Sequence, residues 1–209
     1  MIKSSFRNIF LIGSLFITSA VSATVISSPG GGSVGGFTGS EKYGQSFLVG
    51  RDNVLTDFTI YGRSTSGFNE AIRFDIFSWN TSTNSIIGSS MFSALSTLTS
   101  SNGFSAISVS TGGLSLNFGS SYLLAWKHTD SVGRGLFDFN GANPYKNGLF
   151  VHNPQSEFGA WNINHAGVGS DVKFDLAFKT AEVSEPGTLA LLGLGLIGML
   201  RLNRRKTQA

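Results

Sequence analysis

The chain has 209 residues, of which 41% are hydrophobic, and this combination supplies a sizeable core and excludes intrinsic disorder for the chain as a whole. It contains no cysteine, which excludes disulfides, thiol nucleophiles and cysteine metal sites. The basic pI of 9.3 arises at the two ends, since residues 24–181 hold nine basic and ten acidic side chains, too even a balance for a nucleic-acid-binding face.

The N-terminal segment has the order of a secretory signal peptide. A basic start with Lys3 and Arg7 is followed by the apolar run from Ile9 to Ile17 and then by small residues that end at Ala23. The apolar run is too short to cross a bilayer comfortably, which disfavours a permanent anchor. We therefore expect residues 1–23 to be a signal peptide that is cleaved after Ala23 during export.

The middle of the chain has the pattern of an all-β domain. Residues 24–40 are rich in glycine and serine and predict a flexible lead-in or one weak edge strand. Residues 41–181 alternate apolar and polar positions with period two, and such strands must bury one face. We predict seven to nine short strands in a jelly-roll-like β-sandwich. The apolar positions assigned to buried faces are Val54, Phe58, Ile60, Ile72, Phe74, Ile76, Leu114, Leu116, Phe118, Tyr122, Leu124, Trp126, Val172, Phe174, Leu176 and Phe178.

The C-terminal segment, residues 182–209, combines three parts. A turn motif at 184–187 contains Ser184, Glu185 and Pro186, and the uncharged apolar run 188–200 follows it. As a helix this run is shorter than a bilayer core, at ~1.5 Å per residue, unless basic side chains snorkel. The basic tail 201–209 is expected to hold the terminus on the cytoplasmic side. Its basic residues are Arg201, Arg204, Arg205 and Lys206.

The order of these parts resembles the PEP-CTERM sorting signal of Gram-negative bacteria, also known as an ice-binding protein C-terminal domain. Glu185-Pro186 and the Leu/Gly-rich run match the family's usual pattern, whereas Ser184 stands where the family normally has its first proline. The resemblance implies export through the inner membrane, a transmembrane sorting helix and processing by the membrane enzyme exosortase. It also implies association with exopolysaccharide or biofilm at the cell surface or in the matrix. An ordinary tail anchor is the alternative, but it needs no acidic-proline turn.

Parts of the body resemble a body type that is common among PEP-CTERM proteins. This second resemblance implies a sandwich fold and no particular chemistry. The segments that carry it are 44–47, 55–61, 74–79, 119–124, 143–145 and 175–179.

Motifs for metal or cofactor chemistry are weak. His128, His152 and His165 lack the spacing of a metalloprotease pair, and we expect solvated loop histidines or turn hydrogen bonds. Asp138 and Asn140 begin like a calcium loop, but the twelfth position lacks the acid of an EF-hand. A looser structural calcium site at Asp138 and Asn140 is the alternative to a simple turn, and no other cofactor is expected.

The stretch from Thr129 to His165 gathers aromatic, amide and acidic side chains, which are the groups that recognise sugars. Tyr145, Phe158 and Trp161 are its candidate carbohydrate contacts, although each ring could instead pack the loop onto the sandwich. We expect a non-enzymatic surface or matrix protein that adheres to exopolysaccharide. The alternative is a secreted polysaccharide-acting hydrolase, with its paired acids drawn from Asp130, Asp138, Glu157 and Asp171.

Overall fold

The computed structural model describes residues 23–39, 41–130, 133–153 and 170–181. In these ranges the chain forms twelve β-strands and no helix, so the all-β prediction is confirmed. The strands are β1 (Ala23–Ser28), β2 (Ser33–Thr38), β3 (Lys42–Leu48), β4 (Val54–Ser64), β5 (Glu70–Asn80), β6 (Ser85–Leu98), β7 (Ser105–Ser115), β8 (Ser121–His128), β9 (Arg134–Asn140), β10 (Phe150–Asn153), β11 (Asp171–Val172) and β12 (Phe174–Lys179).

The strands form two antiparallel sheets with jelly-roll connectivity. In one sheet β2 pairs with β9, β9 with β4, and β4 with β7. In the other sheet β3 pairs with β8, β8 with β5, and β5 with β6. Apart from the consecutive pair β5 and β6, the paired strands of this frame are not consecutive in the chain, as in a pair of interlocked Greek keys. The predicted jelly-roll-like sandwich is confirmed.

Four further strands extend this eight-stranded frame, so the expected number of seven to nine strands is too low. Strand β12 pairs with β4 from Phe174 opposite Ile60 to Lys179 opposite Val54, and β1 pairs with the far edge of β12. Strand β10 extends the second sheet beyond β3. The glycine- and serine-rich lead-in thus contributes two strands, where one weak strand at most was expected, because pairing with a neighbour compensates for poor intrinsic propensity.

The core lies between the two sheets and is built from the apolar positions that alternate along the strands. Of the predicted buried positions, those on β4, β5, β8, β11 and β12 are almost fully enclosed. Phe118 is an exception, because it is 68% exposed. The alternation in the sequence continues through Phe118, but β7 ends at Ser115, and a turn closed by the bond from Ser120 N to Asn117 O carries Phe118 out of the sheet.

Buried polar residues from the two sheets are hydrogen-bonded to each other at one edge of the sandwich. Gln45 on β3 donates through Nε2 to Oδ1 of Asp171 on β11, at 2.7 Å, and its Oε1 accepts from the Val172 backbone at 3.1 Å. The other carboxylate oxygen of Asp171 accepts from the backbone N–H of Tyr145 at 2.8 Å. Both side chains are buried. This edge link therefore satisfies polar groups that would otherwise be costly to bury.

No helix in the described ranges has the length and apolarity that a membrane crossing requires. The predicted signal peptide, apart from Ala23, and the whole predicted sorting segment lie outside the described residues. Ala23 is the first residue of β1, opposite Lys179, and cleavage after it stays a prediction.

The edge link gives a direct test of the fold. Asp171→Asn places an amide N–H₂ where an oxygen accepts, so two donors face each other, and unfolding free energy should fall by about 1–3 kcal/mol. Urea denaturation of the full chain measures the change. The matched control is Asp57→Asn on the exposed face of β4, which should change stability by less than about 0.5 kcal/mol. Equal stability of the two variants would contradict the role of the edge link.

Candidate functional site

The predicted carbohydrate contacts are only partly within the described structure. Tyr145 is half-buried, its ring meets Phe174 edge-on at a centroid distance of 5.4 Å, and its hydroxyl accepts from Leu48 N at 3.0 Å. Burial raises the pKa of this hydroxyl. Tyr145 thus fastens its loop to the core, and only the exposed part of its ring is left for a ligand. Phe158 and Trp161 lie outside the described residues, so their role as contacts stays a prediction.

The predicted calcium pair, Asp138 and Asn140, lies at the end of β9 beside the turn between β1 and β2. Asp138 Oδ1 accepts from Gly32 N at 3.2 Å, and the Asn140 amide donates to Pro29 O at 3.3 Å. A methyl group added at Gly30 would collide with the Asp138 carboxylate unless that side chain moved, so the carboxylate packs closely on this turn. Within the described residues, no three His, Cys, Asp or Glu side chains gather as a metal site. A structural calcium ion stays a prediction.

The acids considered for hydrolysis occupy separate surroundings. Asp171 is fully enclosed in the edge link, where burial raises the pKa of its carboxyl group. Asp130 accepts from Gly133 N at 2.8 Å, at the turn between β8 and β9. Asp138 is held at the β1–β2 turn, and Glu157 lies outside the described residues. The described acids therefore serve local hydrogen bonds, and catalysis by any pair of them stays untested.

The expectation that the histidines are solvated loop residues or form turn hydrogen bonds is wrong for two of the three. His128 ends β8 and His152 lies on β10, and both are buried. The His152 ring stacks on Tyr43 at a centroid distance of 4.7 Å. Strand β8 pairs on both sides within the second sheet, and β10 forms an edge of that sheet. The glycine- and asparagine-rich sequence around each histidine did not reveal these pairings. His165 lies outside the described residues.

His128 belongs to a buried polar cluster at one end of the sandwich. Its Nδ1 lies 3.0 Å from Glu70 Oε2, and the same oxygen accepts from Arg134 N at 2.9 Å. The other carboxylate oxygen accepts from the Ser64 hydroxyl at 3.0 Å. Glu70 thus stands between the serine and the histidine. A serine-hydrolase triad needs the histidine in that middle position, so this cluster lacks the geometry of one.

An open groove lies directly above this cluster, and we call it the end-loop groove. Its volume is about 450 Å³. It is formed where the loop after β4 meets the loop after β6. The sequence indicates a turn in each place, but it does not show that the two turns lie side by side. The lining residues are Arg63, Ser64, Thr65, Gly67, Ser100, Ser101 and Asn102.

A second recess, of about 480 Å³, lies at the opposite end of β5. Its lining contains no charged residue among those described. Phe118, exposed between the lining residues Asn117 and Gly119, stands beside it. The residues that line it are Ser78, Trp79, Asn80, Thr81, Ile87, Asn117, Gly119, Ser120, Ser121 and Tyr122.

The buried cluster gives a pH-dependent prediction. Burial lowers the pKa of His128, an effect that nearby Glu70 and Asp130 oppose. Below a pH of about 6.5 the unfolded chain takes up a proton that the folded chain resists, so acidification favours unfolding. This histidine should therefore cost stability as pH falls from 7.5 to 5.5, with a slope of at most about 1.4 kcal/mol per pH unit. Urea denaturation across that range should show a flatter profile for His128→Gln, and parallel profiles would contradict the prediction.

Comparisons with known proteins bear on the C-terminal segment. The family model of the PEP-CTERM protein-sorting motif matches residues 182–206, which include the turn motif, the apolar run and all four basic residues of the predicted tail. No curated protein matches the chain. The chain therefore carries the sorting motif of PEP-CTERM proteins, and it is an exported protein that is processed by an exosortase-type enzyme and associates with the membrane or the cell surface.

Proposed function

We propose that this protein is a non-enzymatic β-sandwich that is delivered to the cell surface or extracellular matrix of a Gram-negative bacterium and associates there with exopolysaccharide or biofilm. The observation that carries the proposal is the sorting motif at residues 182–206. The motif gives the destination of the sandwich, and the sandwich supplies the surface that acts at that destination.

The surface of the described body suits a polysaccharide. Sugars are recognised by aromatic faces together with amides and hydroxyls. Both recesses have hydroxyl and amide linings, and an exposed phenylalanine adjoins each of them, Phe68 at 77% exposure and Phe118 at 68%. An exposed aromatic ring beside a polar recess offers a face on which the C–H surface of a sugar can stack. Jelly rolls serve many functions, so this support comes from the recesses and not from the fold.

Two features support a role without catalysis. The Ser64 hydroxyl donates to Glu70, so the acid and not His128 is the residue bonded to the serine, which is the reverse of a triad. The carboxylate of Asp171 has both oxygens engaged in the edge link, so it is poorly placed to act as a general acid or nucleophile.

Processing can be tested at the turn motif. A variant with Glu185→Ala and Pro186→Ala should accumulate as unprocessed protein in the membrane fraction, because the processing enzyme would no longer recognise its substrate. Ser184→Pro is the matched control at the neighbouring position and should be processed at least as well as the natural chain. Fractionation with an antibody against the sandwich measures both. Unchanged processing of the double variant would point to an ordinary anchor.

Association with the matrix can be tested in the host. If the sandwich adheres to exopolysaccharide, the protein should sediment with the matrix of the parent strain and appear in the medium of a strain that makes no exopolysaccharide. Quantitative immunoblotting of both fractions measures the shift. A strain that lacks a different, unrelated surface component provides the control for general envelope damage. Equal retention in the two strains would contradict adhesion to exopolysaccharide.

A further inference from the structure

We propose that the end-loop groove binds an acidic sugar unit, such as a uronate, through the guanidinium of Arg63. This inference rests on the proposed function and narrows it from exopolysaccharide in general to anionic polysaccharide.

Arg63 is the positive charge in the groove, and it is held in place without using a carboxylate. Its Nη1 donates to the backbone carbonyls of Asn102 at 3.0 Å and Ser101 at 3.3 Å. Its guanidinium carbon lies 5.9 Å from the centre of the Phe104 ring. Among the described residues, no carboxylate oxygen lies within 4.0 Å of this guanidinium. Its Nε and Nη2 make no hydrogen bond to the described residues, so their N–H groups can donate to the paired oxygens of a ligand carboxylate.

Three polar side chains in the same groove are available to sugar hydroxyls. They belong to Thr65, Ser100 and Asn102, which line the groove and make no side-chain hydrogen bond within the described part of the chain. The carboxylate of Glu70, which would repel an anion, lies buried behind Ser64 with its oxygens accepting from Ser64 and Arg134. The accessible groups of the groove thus combine one cation with neutral donors and acceptors.

The groove is held in shape before any ligand arrives. Ser64 N donates to Thr99 O at 2.9 Å, and Ser100 N donates to the side chain of Asn69 at 2.9 Å, so the two loops are joined at two points. Ser66 is bonded to Ser64 and to the backbone of Phe68, which fixes the start of the next turn. A preformed site loses less conformational entropy on binding.

Phe68 supplies an aromatic face next to the groove. It follows the lining residue Gly67 and is 77% exposed, although burying such a ring would be favourable. A sugar presents an apolar C–H face as well as hydroxyls, and an aromatic ring stacks on that face. The second recess has a comparable ring in Phe118 but no charged lining residue among those described, so it fits neutral sugars.

The test uses the full chain, purified in mild detergent, and affinity electrophoresis in gels that contain a polysaccharide. Polygalacturonate and its fully methyl-esterified form have the same sugar backbone and differ in charge. The natural chain should be retarded by polygalacturonate at least about tenfold more strongly than by the ester. Exopolysaccharide extracted from the host matrix forms a third arm.

Variants then place the binding in the groove. Arg63→Gln should lower the affinity for polygalacturonate at least about tenfold. Asn102→Ala and Phe68→Ala should each lower it severalfold with no change in the unfolding midpoint, since both side chains are exposed and the carbonyl that accepts from Arg63 remains. Arg51→Gln is the control, because it removes one exposed positive charge from the turn between β3 and β4.

The outcomes separate this inference from the proposed function. Equal retardation by polygalacturonate and its ester, or equal losses for Arg63→Gln and Arg51→Gln, would overturn the acidic-sugar site. If Asn117→Ala alone abolished binding, the second recess would be the site and the inference would be wrong. Binding of host exopolysaccharide in either case would leave the proposed function standing. Failure to bind any of the three polymers would contradict both.

Discussion

The apolar interface between the two sheets is the constraint on which the rest of the structure depends. The chain has no cysteine, so the exported sandwich must hold together through burial of its inner faces. Trp126 is fully enclosed at this interface, where its ring meets Phe137 edge-on at 5.0 Å and lies 6.3 Å from Phe150. Phe58 and Phe74 make a further edge-on contact at 5.2 Å. Packed aromatic pairs of this kind add to the free energy gained from burial alone.

Hydrogen bonds between polar residues hold the strands and loops together at the edges and ends of the sandwich. At one edge, Gln45 and Asp171 join strands of different sheets and also hold the loop that contains Tyr145. At one end, Glu70 receives bonds from Ser64 and from the backbone of Arg134. In both clusters each carboxylate oxygen accepts a hydrogen bond, which explains why Asp171 and Glu70 can lie within the fold. The end-loop groove is the exposed surface of the second network.

The sorting motif and the sandwich have separate roles, because the motif concerns the destination of the protein and the sandwich carries the candidate binding surface. The sorting motif at residues 182–206 directs the protein and requires nothing of the sandwich. The sandwich is nearly balanced in charge, so the half-buried guanidinium of Arg63 is electrostatically prominent among the neutral groups that line the groove. Loops that are joined by hydrogen bonds at the end of a rigid sandwich are a common location for binding residues. The proposed acidic-sugar site follows from that arrangement.

Much of the fold could be predicted from the sequence. Alternation with period two placed Phe74, Trp126 and Phe174 in the core, because one face of each strand must leave water. The sorting motif was also evident, since its information lies in the order of adjacent residues. Phe118 shows the limit of the pattern: alternation continues through its position, but a turn carries it to the surface.

The candidate site depended on the tertiary structure. Arg63 lies near the end of β4 and Asn102 lies in the loop after β6, and only the pairing of β4 with β7 and of β5 with β6 brings the two together. The buried state of His128 likewise arises from packing at the end of β8, beside Glu70. Local sequence determines periodicity, turn chemistry and linear signals, because these depend on neighbouring residues. Which loops meet is decided by long-range strand pairing, which depends on how the whole chain buries its apolar faces.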